Sequence, residues 1–290
     1  MSGYVPGAPN VGQAWLCTLD FVQQSGGQQV NVLTTVTDPL ADEDPAVRRL
    51  VDELLAPGHR NRTSIQPTDT VANTIFPASL YRDPGYEWSP DLDDNAVQRL
   101  DTAATDLYKA YGEMLPLLCT ADGNSLGTYF GRMTSWPGRQ PGGVNQLADR
   151  IKYLRGNHKN GIRTQNVADV AIGGEADQHG SPSLADIGVQ IYAPTDRRQR
   201  GFPCLVHIDL TLLSGRLSML AVYRHQYLIT KAYGNLLGLS RLLAFLSQQT
   251  GFAIGELAVL ATYADAERPT WGGKSGVDDL IRSVQERMTT

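Results

Sequence analysis

The stretch between Leu236 and Leu246 constrains this chain most. Leu236, Leu237, Leu239, Leu242, Leu243, Phe245 and Leu246 cover most of the circumference of a helix. A helix that is apolar all round has no side to show to water, so it belongs inside a core. Enclosing it takes other elements on several sides, and 290 residues are enough for one large domain or two small ones. Gly251 stands where such a helix would end.

The surrounding sequence supplies both kinds of element. Leu205 to Leu213 and Leu217 to Tyr223 flank Ser214-Gly215-Arg216, which predicts a hairpin. Gly188 to Ala193 and Leu257 to Tyr263 read as further strands. Trp15 to Val22 and Val30 to Val36 are rich in β-formers on either side of Ser25-Gly26-Gly27-Gln28, so a second hairpin is expected there. Helices are expected from Asp44-Pro45 to Leu55, from Thr68 or Asp69 as N-cap to Phe76, from Asn95 to Leu115 with Pro116 as the stop, from Val144 to Leu154, and from Val277 to Met288. Residues 1–13 have the composition of a loose arm, and 155–182 form a polar, glycine-studded insertion suited to a lid or a protein partner. With no repeat and no linker composition, residues 1–290 are expected to form a single α+β domain.

Composition narrows the function classes. Hydrophobic residues make up 41% and charged residues 19%, the balance of a soluble globular protein. The net charge of −5 argues against a general nucleic-acid surface. No apolar run is long enough for a membrane span, and the start of the chain lacks the pattern of a signal peptide. Cys17, Cys119 and Cys204 are odd in number and far apart, which fits free thiols in the cytoplasm.

Three residues at element borders carry candidate chemistry. Cys204 is a thiol at the start of a strand; it is either a nucleophile or a small core residue. Arg224 offers a planar fork for an anion, or a structural ion pair. Asn235 offers a donor and an acceptor at the mouth of the apolar helix, or a helix cap. Arg60 and Arg62 lie in a polar loop that either contacts phosphate or is simply solvated, and the basic run Arg197-Arg198-Gln199-Arg200 is either a solvated loop or an anion clamp acting in trans. His207 and Asp209 share a strand face, but no further ligands accompany them, so no metal is expected. Cys17 and Cys119 read as buried spectators.

The order Pro203-Cys204, Leu217-Ser218, Arg224, Gly234-Asn235, Thr250-Gly251-Phe252 and Gly255-Glu256-Leu257 resembles the C-terminal half of the thymidylate synthase and pyrimidine nucleotide hydroxymethylase family. The separations, twenty residues from Cys204 to Arg224 and eleven from Arg224 to Asn235, match that family without a gap. The resemblance covers about residues 186–267, with fainter similarity at Trp136-Pro137, Asn145-Gln146-Leu147 and Tyr192-Ala193-Pro194. It implies a large twisted mixed sheet with surrounding helices and a buried central helix. It also implies a homodimer paired through the sheet face. Cys204 would be the thiolate that adds to C6 of a pyrimidine nucleotide, Arg224 and the neighbouring His225 would bind the nucleotide, and Asn235 would read O4 and N3 of uracil. Arg60 and Arg62 would add phosphate contacts. Methylenetetrahydrofolate would be the one-carbon donor.

Several family positions are altered. The ribose-binding His and Tyr fall on Asp265 and Glu267, the Ser after the arginine is His225, and the folate-contacting Asp is Tyr227. Leu205 replaces the His after the cysteine, and the partner subunit's paired arginines have no counterpart near Ser181 to Asp186. The catalytic Glu falls on Ala72 or Asn73. Two expectations result: C5 methyl or hydroxymethyl transfer to a pyrimidine nucleotide, or a catalytically silent nucleotide-binding or scaffold subunit on the same fold.

Overall fold

The computed structural model describes residues 3–56, 66–85, 91–121, 124–136, 141–164, 189–191 and 203–288. The chain clusters into two compact units. The first holds residues 1–76, 222–241 and 256–290, and the second holds 77–221 and 242–255. Each combines strands with helices, which establishes the α+β class.

In the first unit, β1 (Gly3–Tyr4) runs parallel to β2 (Gln28–Val36), and β2 runs antiparallel to β7 (Ala253–Asp265), with Val32 opposite Ala261 and Val36 opposite Leu257. The short β6 (Gln226–Tyr227) pairs parallel to β7. This is therefore a mixed sheet. Helices α1 (Val11–Gln24), α2 (Pro45–Leu54) and α8 (Gly273–Met288) pack together in this unit.

Two expectations fail at the N-terminus. Residues 3–8 are not a loose arm: Gly3 and Tyr4 pair with β2, and Val5 and Ala8 are buried. Trp15 to Val22 is not a strand, because this segment is α1. Val11, Ala14, Trp15, Leu19 and Val22 are buried along it at helical spacing, and Asn10 Oδ1 caps its start by accepting from Gln13 N at 2.9 Å. Period and cap outweigh the β propensity of Trp, Cys, Thr and Phe.

Helix α3 (Thr68–Ile75) lies against the first half of α7 (Tyr233–Thr250). Glycine makes this approach possible. A Cβ on Gly234 would stand 2.7 Å from Val71 Cβ and 2.8 Å from the Thr68 carbonyl oxygen. The residue preceding α3 is Pro67, which makes no side-chain cap, so neither Thr68 nor Asp69 fills that role. Asp69 instead bridges Arg48 at 2.9 Å and Arg241 at 3.0 Å.

In the second unit, β4 (Leu205–Leu213) and β5 (Arg216–Tyr223) form the expected hairpin. Ser214 and Gly215 both have positive φ, 51° and 78°, as a type I′ turn requires. β3 (Val189–Gln190) pairs antiparallel to β4. Helix α4 (Asp94–Leu118) does not stop before Pro116. The proline sits in its last turn, and Cys119 N still reaches the Leu115 carbonyl at 3.0 Å. A short helix, α5 (Tyr129–Thr134), lies within the glycine-rich stretch. Helix α6 (Gln146–Lys159) extends into the start of the expected insertion, so residues 155–159 are helical, while 165–182 lie outside the described residues.

The prediction for the apolar helix holds. Leu236, Leu239, Leu242, Leu243, Phe245 and Leu246 of α7 are buried, and Gly251, at φ 73°, ends the helix. Among the described residues, no helix is long and apolar enough to cross a membrane.

Candidate functional site

Cys204 belongs to the second unit and precedes β4 directly, half-exposed. Tyr129, the first residue of α5, organises this strand start. Its hydroxyl accepts from Cys204 N at 3.2 Å and from Leu205 N at 3.4 Å. Thr128 caps α5 by accepting from Gly131 N at 3.0 Å, which fixes where Tyr129 starts. Tyr129 escaped the sequence analysis because a tyrosine in a glycine-rich stretch gives no motif. It acts on two backbone amides about 75 residues away.

Arg224, His225 and Asn235 belong to the first unit. Arg224 comes directly after β5, and its carbonyl accepts from Thr262 Oγ1 at 2.9 Å, which fastens this short stretch to β7. His225 sits between two rings: Tyr227 at a centroid distance of 4.3 Å and Tyr263 at 4.9 Å. Its Nε2 is buried with no hydrogen-bond partner among the described residues. Asn235 is not a cap, because the helical run already begins with the π turn Leu228–Ala232. Its side chain lies in the first turn of α7, 5% exposed, with no hydrogen-bond partner among the described residues.

Burial lowers the His225 pKa; Asp265 opposes the shift and Arg224 reinforces it. The unfolded chain therefore takes up a proton near the ordinary value of about 6.5, whereas the folded chain resists it. The stability that His225 contributes is complete above about pH 6.5 and is lost as pH falls through the unfolded and then the folded value. Thermal midpoints measured from about pH 7.5 down to 5.5 should decline, and His225→Gln should flatten the decline. An unchanged slope in the variant would show that another group is responsible.

Asp265 and Glu267, the carboxylates that the resemblance would set at ribose contacts, are engaged by hydrogen bonds within the chain. Glu267 is buried and accepts from Ile229 N at 2.8 Å, Thr230 N at 2.7 Å and Thr230 Oγ1 at 2.8 Å. Burial raises its pKa, and these hydrogen bonds pull it back down. Asp265 accepts from Glu267 N at 2.7 Å and from Gln28 Nε2 at 3.3 Å. Of the two residues on which the resemblance would place the relay carboxylate, Ala72 is fully buried against Gly238, and Asn73 Oδ1 is buried with no partner among the described residues. Tyr227, which the resemblance would set at a folate contact, packs tilted against the His225 ring and supplies no acid group, so the residues present do not fit that contact.

Arg60, Arg62, Tyr192-Ala193-Pro194 and Arg197 to Arg200 lie outside the described residues. His207 and Asp209 are buried on β4. Among the described residues, no group of three or more His, Cys, Asp or Glu could hold a metal ion. The expectation that Cys17 and Cys119 are buried also fails: Cys17 is exposed on α1, and Cys119 is half-exposed at the end of α4. Partial desolvation pushes both thiols up, away from the reactive thiolate. In the second unit, an open cleft of about 620 Å³ lies between α4 and α5, lined by Tyr108, Lys109, Glu113, Pro116, Ser135 and Gly143. None of the candidate site residues lines it.

No protein-family model matches the chain, and no curated protein matches its sequence.

Proposed function

We propose that this protein is a divergent thymidylate synthase-like protein that binds a pyrimidine nucleotide and modifies the base at C5 through Cys204. The observation that carries the reading is Asn235, a nearly buried carboxamide whose donor and acceptor are unspent among the described residues. A carboxamide that keeps both a donor and an acceptor available complements a pyrimidine edge, with its adjacent acceptor and donor. Arg224 supplies the cation for the phosphate. Addition of the Cys204 thiolate to C6 would make C5 nucleophilic toward a one-carbon donor. C5 would attack the donor's one-carbon unit as the bond from that carbon to its carrier breaks and the carrier leaves with the electron pair; loss of the C5 proton to solvent and expulsion of the thiolate from C6 would then restore the ring. A homodimer belongs to the same proposal. In the first unit Leu33, Ala258 and Leu260 are only half-buried on their strands, which is compatible with a paired sheet face.

A second reading, a silent nucleotide-binding subunit, is favoured by Ala72 and Asn73, since neither provides a carboxylate for proton relay. Incubation with C5-tritiated dUMP or dCMP, with and without methylenetetrahydrofolate, separates the two. Tritium release that Cys204→Ser abolishes supports the enzyme, and binding without release supports the silent subunit. Absence of both removes the proposal.

A further inference from the structure

The segment carrying Asn235 begins in the π turn Leu228–Ala232 and passes into α7 at Tyr233. A π turn holds more residues per turn than an α turn, so exchanging one for the other rotates the helix after it about its own axis. The π form is rare and needs outside support. Here a carboxylate seats the amides at its start. Glu267 Oε2 takes both Ile229 N and Thr230 N, and Oε1 takes the Thr230 hydroxyl. The seat is itself fixed. Glu267 adopts a left-handed φ of 55°, which disfavours any residue with a Cβ. Asp265 accepts from the Glu267 amide at 2.7 Å, and the Glu267 carbonyl accepts from Thr270 N at 2.9 Å and Trp271 N at 3.1 Å. Trp15 Nε1 steadies the same turn by donating to the Leu228 carbonyl at 2.7 Å.

We infer that Glu267 is a positioning residue, whose carboxylate locks the π turn and so sets the direction in which Asn235 presents its carboxamide to the base. The inference rests on the proposal that Asn235 reads the base. It differs from a purely structural role in what it moves. Loss of stability lowers the folded fraction but leaves the ratio of affinities for dUMP and dCMP unchanged, whereas a misdirected carboxamide lowers the ratio.

Titration calorimetry with dUMP and dCMP tests this. Glu267→Ala should reduce the wild-type preference by about fivefold or more, because the carboxamide's hydrogen bonds are then poorly aligned. Glu267→Gln can place its carbonyl on the two amides and its NH2 on the Thr230 hydroxyl, and should stay within about twofold of wild type. Should Glu267→Ala fail to fold, Glu267→Asp, one methylene too short for the seat, replaces it with the same expectation. A wild-type ratio in the folded Ala or Asp variant overturns the positioning role. A wild-type protein without preference, or an Asn235→Ala variant that keeps it, defeats the reading of Asn235 itself.

Discussion

Gly238→Val is expected to lower the free energy of unfolding by about 3 kcal/mol, the upper range for forcing bulk into a packed interface. The reason lies in the contact between α3 and α7 within the first unit. A Cβ at Gly238 would stand 2.7 Å from the Ala72 carbonyl oxygen, 3.0 Å from Ile75 Cβ and 3.1 Å from Ala72 Cα. Two of these three are backbone atoms, so no rotamer change relieves the clash; a helix must move. Ala72 and Ile75 are fully buried, which leaves little room for that movement. Gly112 in α4 is the control. Nothing lies within 4 Å of a Cβ there, so Gly112→Ala should gain roughly 0.5–1 kcal/mol from helix propensity alone. Chemical denaturation of both variants checks the pair. A Gly238→Val variant as stable as wild type would show that α3 and α7 are not in this contact.

The second large effect is expected at Arg155. Within the second unit its guanidinium donates to the Gln249 carbonyl at 2.6 Å, to Gln249 Oε1 at 2.9 Å and to Asp101 at 2.6 Å. Gln249 is fully buried, and its own NH2 donates to the Leu100 carbonyl at 3.1 Å. Arg155→Ala leaves two buried acceptors of Gln249 without this donor and should cost about 2–4 kcal/mol. Asp101 is 58% exposed on its side chain, so Asp101→Ala should cost less than about 1 kcal/mol. Urea midpoints of the two variants distinguish the halves of the network. Equal losses would mean that the ion pair, rather than the buried carboxamide, dominates.

The sequence revealed the features that depend on strong periodicity and turn chemistry. The all-round apolar stretch of α7, the Ser214-Gly215 turn and the glycine stop at Gly251 each have one cheap physical solution, and the chain adopts it. The first helix was hidden because residue preference competes with spacing over Trp15 to Val22; the N-cap at Asn10 decided it, in a stretch whose glycines and prolines suggested an arm. The site was legible only as residue types. Cys204, Arg224 and Asn235 could be named as candidates from their places at element borders and from the family resemblance, but Tyr129 acts through a long-range backbone contact that leaves no local trace. The two acidic residues of the Asp265-Ala266-Glu267 stretch looked like charges beside a ligand. Only their bonds to Gln28, Ile229 and Thr230 show them as struts for the turn that leads to Asn235.

Whether Arg224 and Asn235 hold a pyrimidine nucleotide, as proposed above, is decided by calorimetric titration of dUMP into the purified protein. Saturable binding is expected, weakened about tenfold or more by Arg224→Ala and by Asn235→Ala, as loss of charge-assisted or buried hydrogen bonds to a ligand requires. No binding of dUMP, UMP or dCMP, or the same affinity in wild type and both variants, would contradict it.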